Sequence, residues 1–146
     1  MTLNQITNVF RQSAGRVILE ERAILDEIGK MVASRARAKL GVYQSAVGPF
    51  PAWAPLSPVT IDRKGSDRPL VDTGALKETG VDYDVHGFSV EIGSDLLRAL
   101  WAELGTAKEP PRPFLGPSAY ESIEEIVNLV GIAAVSAFYK SGKGIF

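Results

Sequence analysis

The chain has 146 residues and a mass of 15.7 kDa, enough for one domain with a buried core. Its 16 Lys and Arg against 17 Asp and Glu leave a net charge of −1, too balanced for a nucleic-acid coat or an acidic solvating tail, and 45% hydrophobic with 23% charged residues is a globular rather than a disordered composition. Cysteine is absent and His86 is the single histidine, which excludes disulfides, thiol catalysis and Cys or multi-His metal sites and disfavours a Ser-His-Asp triad.

The start, Met1 to Thr7, has neither the basic nor the long apolar stretch of a secretory signal. The longest mostly apolar uncharged run, Ile126 to Tyr139, is 14 residues, short of the roughly 20 that span a bilayer. The expectation is a protein made in a reducing cytoplasm that enters no membrane.

Residues 1–15 predict a short helical piece interrupted at Gly15, with Leu3, Ile6 and Phe10 on one side. From Arg16 to Leu40 the pattern is helical, with Ile18, Leu25, Ile28, Val32 and Ala36 recurring at threes and fours. Acids lead and bases trail, which suits the helix dipole, and Gly41 is the expected stop. Over 41–72, Pro49, Pro51, Pro55, Pro58 and Pro69 argue against long helix or central strand. Phe50, Trp53, Leu56 and Ile61 are interleaved with them, so this reads as a long extended arm that docks on its own core or on a neighbour.

Residues 80–93 alternate as a β-hairpin turning at His86-Gly87. That register pairs Val85 with Phe88, Tyr83 with Val90 and Val81 with Ile92, and sets Asp82 opposite Glu91 on the other face. Ser94-Asp95 is expected to cap a short helix, Leu96 to Leu104, ended by Gly105. An extended stretch follows to Pro117. Ser118-Ala-Tyr-Glu121 then reads as a capping box opening a last helix to about Tyr139. Beyond Glu125 that helix is apolar on nearly every side and needs covering all round. Residues 141–146 read as a loose tail. The fold class is α+β: one domain, 1–146, with a small antiparallel sheet around the hairpin, long N- and C-terminal helices packed on it, and the Pro-rich arm.

Few residues invite chemistry. Ser141-Gly-Lys-Gly144 lacks the upstream glycine, the following Ser/Thr and the helix of a phosphate loop. Asp82, Asp84 and Glu91 sit on a predicted solvated strand face, where no pocket shifts a carboxylate, and His86 is a turn residue. No catalytic residue, cofactor site or metal site is expected. Charge is segregated along the chain: residues 1–40 carry +3 and 81–105 carry −4, as in subunits that pack basic face to acidic face. Trp53 and Arg112 are residue types that anchor interfaces, and prolines pre-order their segments, so loop packing and inter-subunit docking both suit them.

Three ordered stretches resemble a known family. Trp53 to Leu56 with Thr60 and Lys64 is similar to its W-x-x-L-x-x-x-T-x-x-x-K arm. Leu70-Val-Asp-Thr-Gly-Ala-Leu76 is similar to its L-x-x-T-G-x-L signature. Ala99 to Thr106 with Pro111-Arg-Pro-Phe-Leu-Gly116 is similar to A-x-x-H-E-F-G-T followed by P-x-R-P-F-L. Ala102 and Leu104 depart from the usual His and Phe of the last motif, while Glu103, Gly105 and Thr106 match it. The chain thus resembles, over about residues 50–140, the virion-morphogenesis, tail-completion and head–tail joining proteins of long-tailed bacteriophages and prophages.

The resemblance implies a structural protein of the virion neck or tail top, assembled in the host cytoplasm: a homo-oligomeric, hexameric ring that completes the tail and joins it to the head. Other neck and tail proteins (head-closure, tail terminator, tail tube) would be its partners, and DNA would pass through its lumen without sequence reading. Trp53, Leu56, Asp72, Thr73, Gly74, Glu103, Arg112, Pro113, Phe114 and Leu115 are the candidate subunit-interface residues, with Arg112 reaching a neighbour's carboxylate and Phe114 and Leu115 filling a pocket. Asp82, Asp84 and Glu91 are candidates to face the lumen. The alternatives are a tail terminator or head-closure ring and, in other classes, a small hydrolase or an assembly chaperone outside the virion.

Overall fold

A computed structural model describes the backbone of residues 3–142 and the side chains of residues 21–136. One helix, α1, runs Leu3–Lys39, so Gly15 does not break it; a helix passes through a glycine at a cost of about 1 kcal/mol. The side chains of Leu3, Ile6, Phe10 and Ile18 lie outside the described residues. Ile28, Val32, Ala33 and Ala36 form the buried stripe of α1, Leu40 is buried just beyond it, and the chain turns off at Gly41, whose amide donates to the Pro69 carbonyl (2.9 Å).

The arm is not uniformly extended. It contains α2, Pro58–Lys64, which is fully capped. Ser57 Oγ accepts from the Thr60 amide (3.2 Å), Pro58 occupies the first turn, and Gly65 closes the helix in the left-handed region. The short helix α3, Ala75–Glu78, follows Gly74, with Thr73 Oγ1 3.4 Å from the Ala75 amide.

Strands β1, Asp82–His86, and β2, Ser89–Gly93, form a two-stranded antiparallel sheet. The register differs from expectation. Val85 pairs with Val90 and Tyr83 with Ile92, so the turn residues are Gly87-Phe88 and it is Asp84 that faces Glu91. Gly87 has φ +56, which places the flexible residue first in the turn. Each partner has slipped by two residues, so the faces are unchanged. The hairpin lies along α1. The Tyr83 ring covers Gly29, where a Cβ would come within 2.2 Å of it, and Tyr83 Oη donates to Asp26 (2.7 Å). Arg37 donates to the Val81 carbonyl (3.2 Å from Nε).

Helix α4 is Leu97–Leu104, without a side-chain cap; Ser94 Oγ accepts from the Leu96 amide (3.1 Å) in a turn before it. The expected last helix is two, α5 at Leu115–Glu121 and α6 at Ile123–Gly142, so residues 141 and 142 are helical and 143–146 lie outside the described residues. Ser118 is buried inside α5 and opens no capping box. Its Oγ donates to the Phe114 carbonyl (2.6 Å), and Ser122 Oγ donates to the Ser118 carbonyl (2.7 Å). Hydroxyls bonding back four residues bend a helix, and the break falls at Ser122. Glu121 pairs with Lys39 (2.8 Å) and Glu125 with Arg35 (2.5 Å), fastening this corner to α1.

Ala33, Ala36, Leu40, Trp53, Leu76, Val81, Ala99, Ala102 and Phe114 make one core. Alanines of α1 and α4 fill it around Trp53 and Phe114.

Candidate functional site

The motif residues meet at one place. Trp53 Nε1 donates to the Pro113 carbonyl (2.9 Å). Arg112, 7% exposed, returns the contact: Nε donates to the Ala54 carbonyl (3.1 Å), Nη2 to that of Pro55 (3.2 Å), and its amide to that of Ala102 (2.7 Å). The arm and the 111–116 strap thus lock each other within one chain. Phe114 is fully buried beside them. Glu103 Oε2 accepts from the amides of Phe114 (2.9 Å) and Leu115 (3.0 Å), and Oε1 from that of Gly116 (2.8 Å). A carboxylate from α4 thereby caps α5, which has no local cap. Thr106 Oγ1 accepts from the amides of Lys108 and Glu109 and closes the turn that leads into the strap.

The side chains expected to reach a neighbouring subunit are therefore engaged at home. Trp53, Arg112, Pro113 and Phe114 are buried in their own chain, and Arg112 meets carbonyls rather than a carboxylate. Both Glu103 oxygens are occupied. Leu115 is half-buried against the core.

Beside this lock opens a cleft of about 1010 Å³ between the arm, α3, α4 and the 108–112 segment. Leu56, Asp72, Thr73 and Gly74 line it, with Asp72 and Thr73 exposed. Its apolar wall includes Leu97 and Trp101; its cations are Arg63, Lys64, Arg98 and Lys108, besides the engaged Arg112, against Asp72 and Glu109. Arg98 pairs loosely with Asp72 (3.4 Å). Arg63 and Lys108 make no ion pair among the described residues. Partial burial lowers the Lys64 pKa, and its Nζ donates to the Arg68 carbonyl (2.7 Å). Above the arm, Tyr43 Oη donates to Asp67 and accepts from the Leu56 amide (3.0 Å); the Asp67 bond holds the phenol pKa up.

Asp82, Asp84 and Glu91 stand together on the exposed outer face of the hairpin, with Asp84 3.1 Å from His86. Phe88 projects from the turn, 71% exposed. Among the described residues, no cluster of three or more His, Asp or Glu side chains is placed to hold a metal ion, and no helix is long and apolar enough to cross a membrane.

Sequence reasoning misses the outer face of α4. Leu97, Leu100, Trp101 and Leu104 recur as i, i+3, i+4, i+7, the pattern of a core stripe, yet all are 45% exposed or more, while Ala99 and Ala102 face inward. The available signal is that the helix carries a second stripe, Ala99 and Ala102, and it is this one that joins the core. Helix α6 is likewise uncovered at Ile123, Val127, Val130, Ile132 and Val135.

Compared with protein-family models, curated proteins and solved structures, the chain matches none.

Proposed function

We propose that the chain is a structural subunit of the neck or tail top of a long-tailed bacteriophage, forming a ring that completes the tail, joins it to the head and lets DNA pass. The observation that carries this reading is the uncovered apolar surface: a single chain leaves the large outer side chains of α4 and Ile123, Val127, Val130, Ile132 and Val135 of α6 exposed. Assembly with further subunits removes that cost. The motifs that resemble the phage family support it, since they build the frame that presents α4 and the cleft. In this reading the Trp53–Arg112–Glu103 lock makes each subunit a rigid block before assembly, and the exposed surfaces make the contacts. The subunit performs no catalysis and needs no cofactor.

The test is quantitative mass spectrometry of purified virions, scaled to a tail protein of known copy number. About six copies per particle, the closed ring that the resemblance implies, is the expected result. Absence from the particle overturns the reading and leaves a chaperone or an enzyme.

A further inference from the structure

The acidic hairpin lies along the middle of α1 and the cationic cleft beside its C-terminal end. Tyr83 is held at Asp26 and Gly29, and β1 runs on from there to the turn. The cleft is tied to the C-terminal end of α1, where Lys77 Nζ donates to the Leu40 carbonyl (3.2 Å) and Gly41 abuts Arg68 and Val71. Eleven helical residues separate Gly29 from Leu40, about 16 Å, and four strand residues carry the turn about 13 Å further.

The two surfaces are complementary in charge, and each carries exposed apolar side chains. The hairpin end offers Asp82, Asp84 and Glu91 around an exposed aromatic, Phe88. The cleft offers Arg63, Lys64, Arg98 and Lys108 around Leu97 and Trp101, in a volume that admits a two-residue turn with its side chains. Within one chain neither surface is neutralised: Asp84 faces Glu91 across the strands, which is unfavourable, and Arg63 and Lys108 have no carboxylate partner among the described residues.

We propose that the hairpin of one copy docks in the cleft of the next, with Phe88 against Trp101 and Leu97 and the three carboxylates against the cationic rim. Two different surfaces, the hairpin tip and the cleft, make the contact head-to-tail, and such a contact either closes into a ring or runs on as a filament. The inference rests on the proposed ring for its closure. It moves Asp82, Asp84 and Glu91 from the lumen to the subunit contact.

Sedimentation of the full chain tests it. The wild-type chain associates, and more weakly as salt rises. Asp84→Lys with Glu91→Lys, or Arg63→Glu with Lys108→Glu, weakens association on the order of a hundredfold. An equimolar mixture of the two double variants regains wild-type association, because every hairpin–cleft contact between unlike copies is again of opposite charge. As the chain has no cysteine, Ser89→Cys and Glu109→Cys copies provide a second reading: mixed and oxidised, they form the heterodisulfide in preference to either homodisulfide. If the chain associates but neither double variant weakens it and no heterodisulfide forms, this contact is wrong while the ring stands. A chain that stays monomeric at millimolar concentration and gives no heterodisulfide also overturns the contact; the ring itself is judged separately by virion copy number.

Discussion

Both oxygens of Glu103 accept amides at the start of α5, so the side chain stands in for a cap from the preceding helix. Glu103→Ala leaves three amides without an acceptor and is expected to cost about 3 kcal/mol in urea unfolding. Glu103→Gln keeps one acceptor and loses the charge at the helix N-terminus; it should cost about 1 kcal/mol. Trp53 calls for a different expectation from the one its residue type invites. It is 6% exposed and bonded to Pro113, so Trp53→Ala should destabilise the isolated chain by about 4 kcal/mol rather than spare it and block assembly alone. A Trp53→Ala chain with wild-type unfolding would return Trp53 to the interface. Sequence singles out Trp53, Glu103 and Arg112 as candidate interface residues, and the structure shows each engaged within its own chain. It is silent on whether the partner is the same chain, because a Pro-flanked arginine and a tryptophan suit an intrachain strap and an intersubunit strap equally well.

At the scale of elements, local signals succeed where the partners are local. Alternation finds the hairpin though not its register, whereas the proline count of the arm hides α2, whose local signals, Ser57-Pro58 and Gly65, the reading of an extended arm passes over. Tertiary partners override local ones at Ser118 to Glu121: Glu103 supplies the cap of α5, and Lys39 takes Glu121. The hairpin's hold on α1 is the element most open to test. Gly29→Ala raises helix propensity yet drives a methyl into the Tyr83 ring, so it should destabilise by about 2 kcal/mol, and far less when combined with Tyr83→Val, which removes the ring. The same contact is pH-sensitive. The Lys30 and then the Tyr83 hydrogen bonds hold the Asp26 pKa below its ordinary value, so its contribution is present above the ordinary carboxylate range and is lost as pH falls through the folded value. The Asp26 bond raises the Tyr83 pKa, so that contribution is present below the ordinary phenol value and is lost as pH rises through the raised one. Protection of the β1 and β2 amides from hydrogen exchange, corrected for intrinsic rates, should therefore be greatest between these limits, and Asp26→Asn should abolish its acidic loss.

Across the whole molecule, the large apolar side chains of α4 and several of α6 lie outside while Ala99 and Ala102 join the core, an inversion that composition and periodicity do not reveal. That inversion makes the two tryptophans separate reporters. Trp53 is buried in the lone chain and stays so on assembly; Trp101 is 45% exposed at the mouth of the cleft. Desolvating an indole shifts its emission to the blue, so association through the cleft should produce a blue shift that comes entirely from Trp101. Trp101→Phe is expected to keep the fold, since Trp101 is 45% exposed and is not one of the buried core residues, and to keep a weakened association, since Phe retains part of the apolar surface. Its emission, now from Trp53 alone, should be the same before and after association while sedimentation still reports the larger species. The large red shift on full unfolding should persist in this variant. An association-linked shift that survives in Trp101→Phe would mean that Trp53 changes its surroundings, and the lock between arm and strap would then open on assembly instead of preceding it.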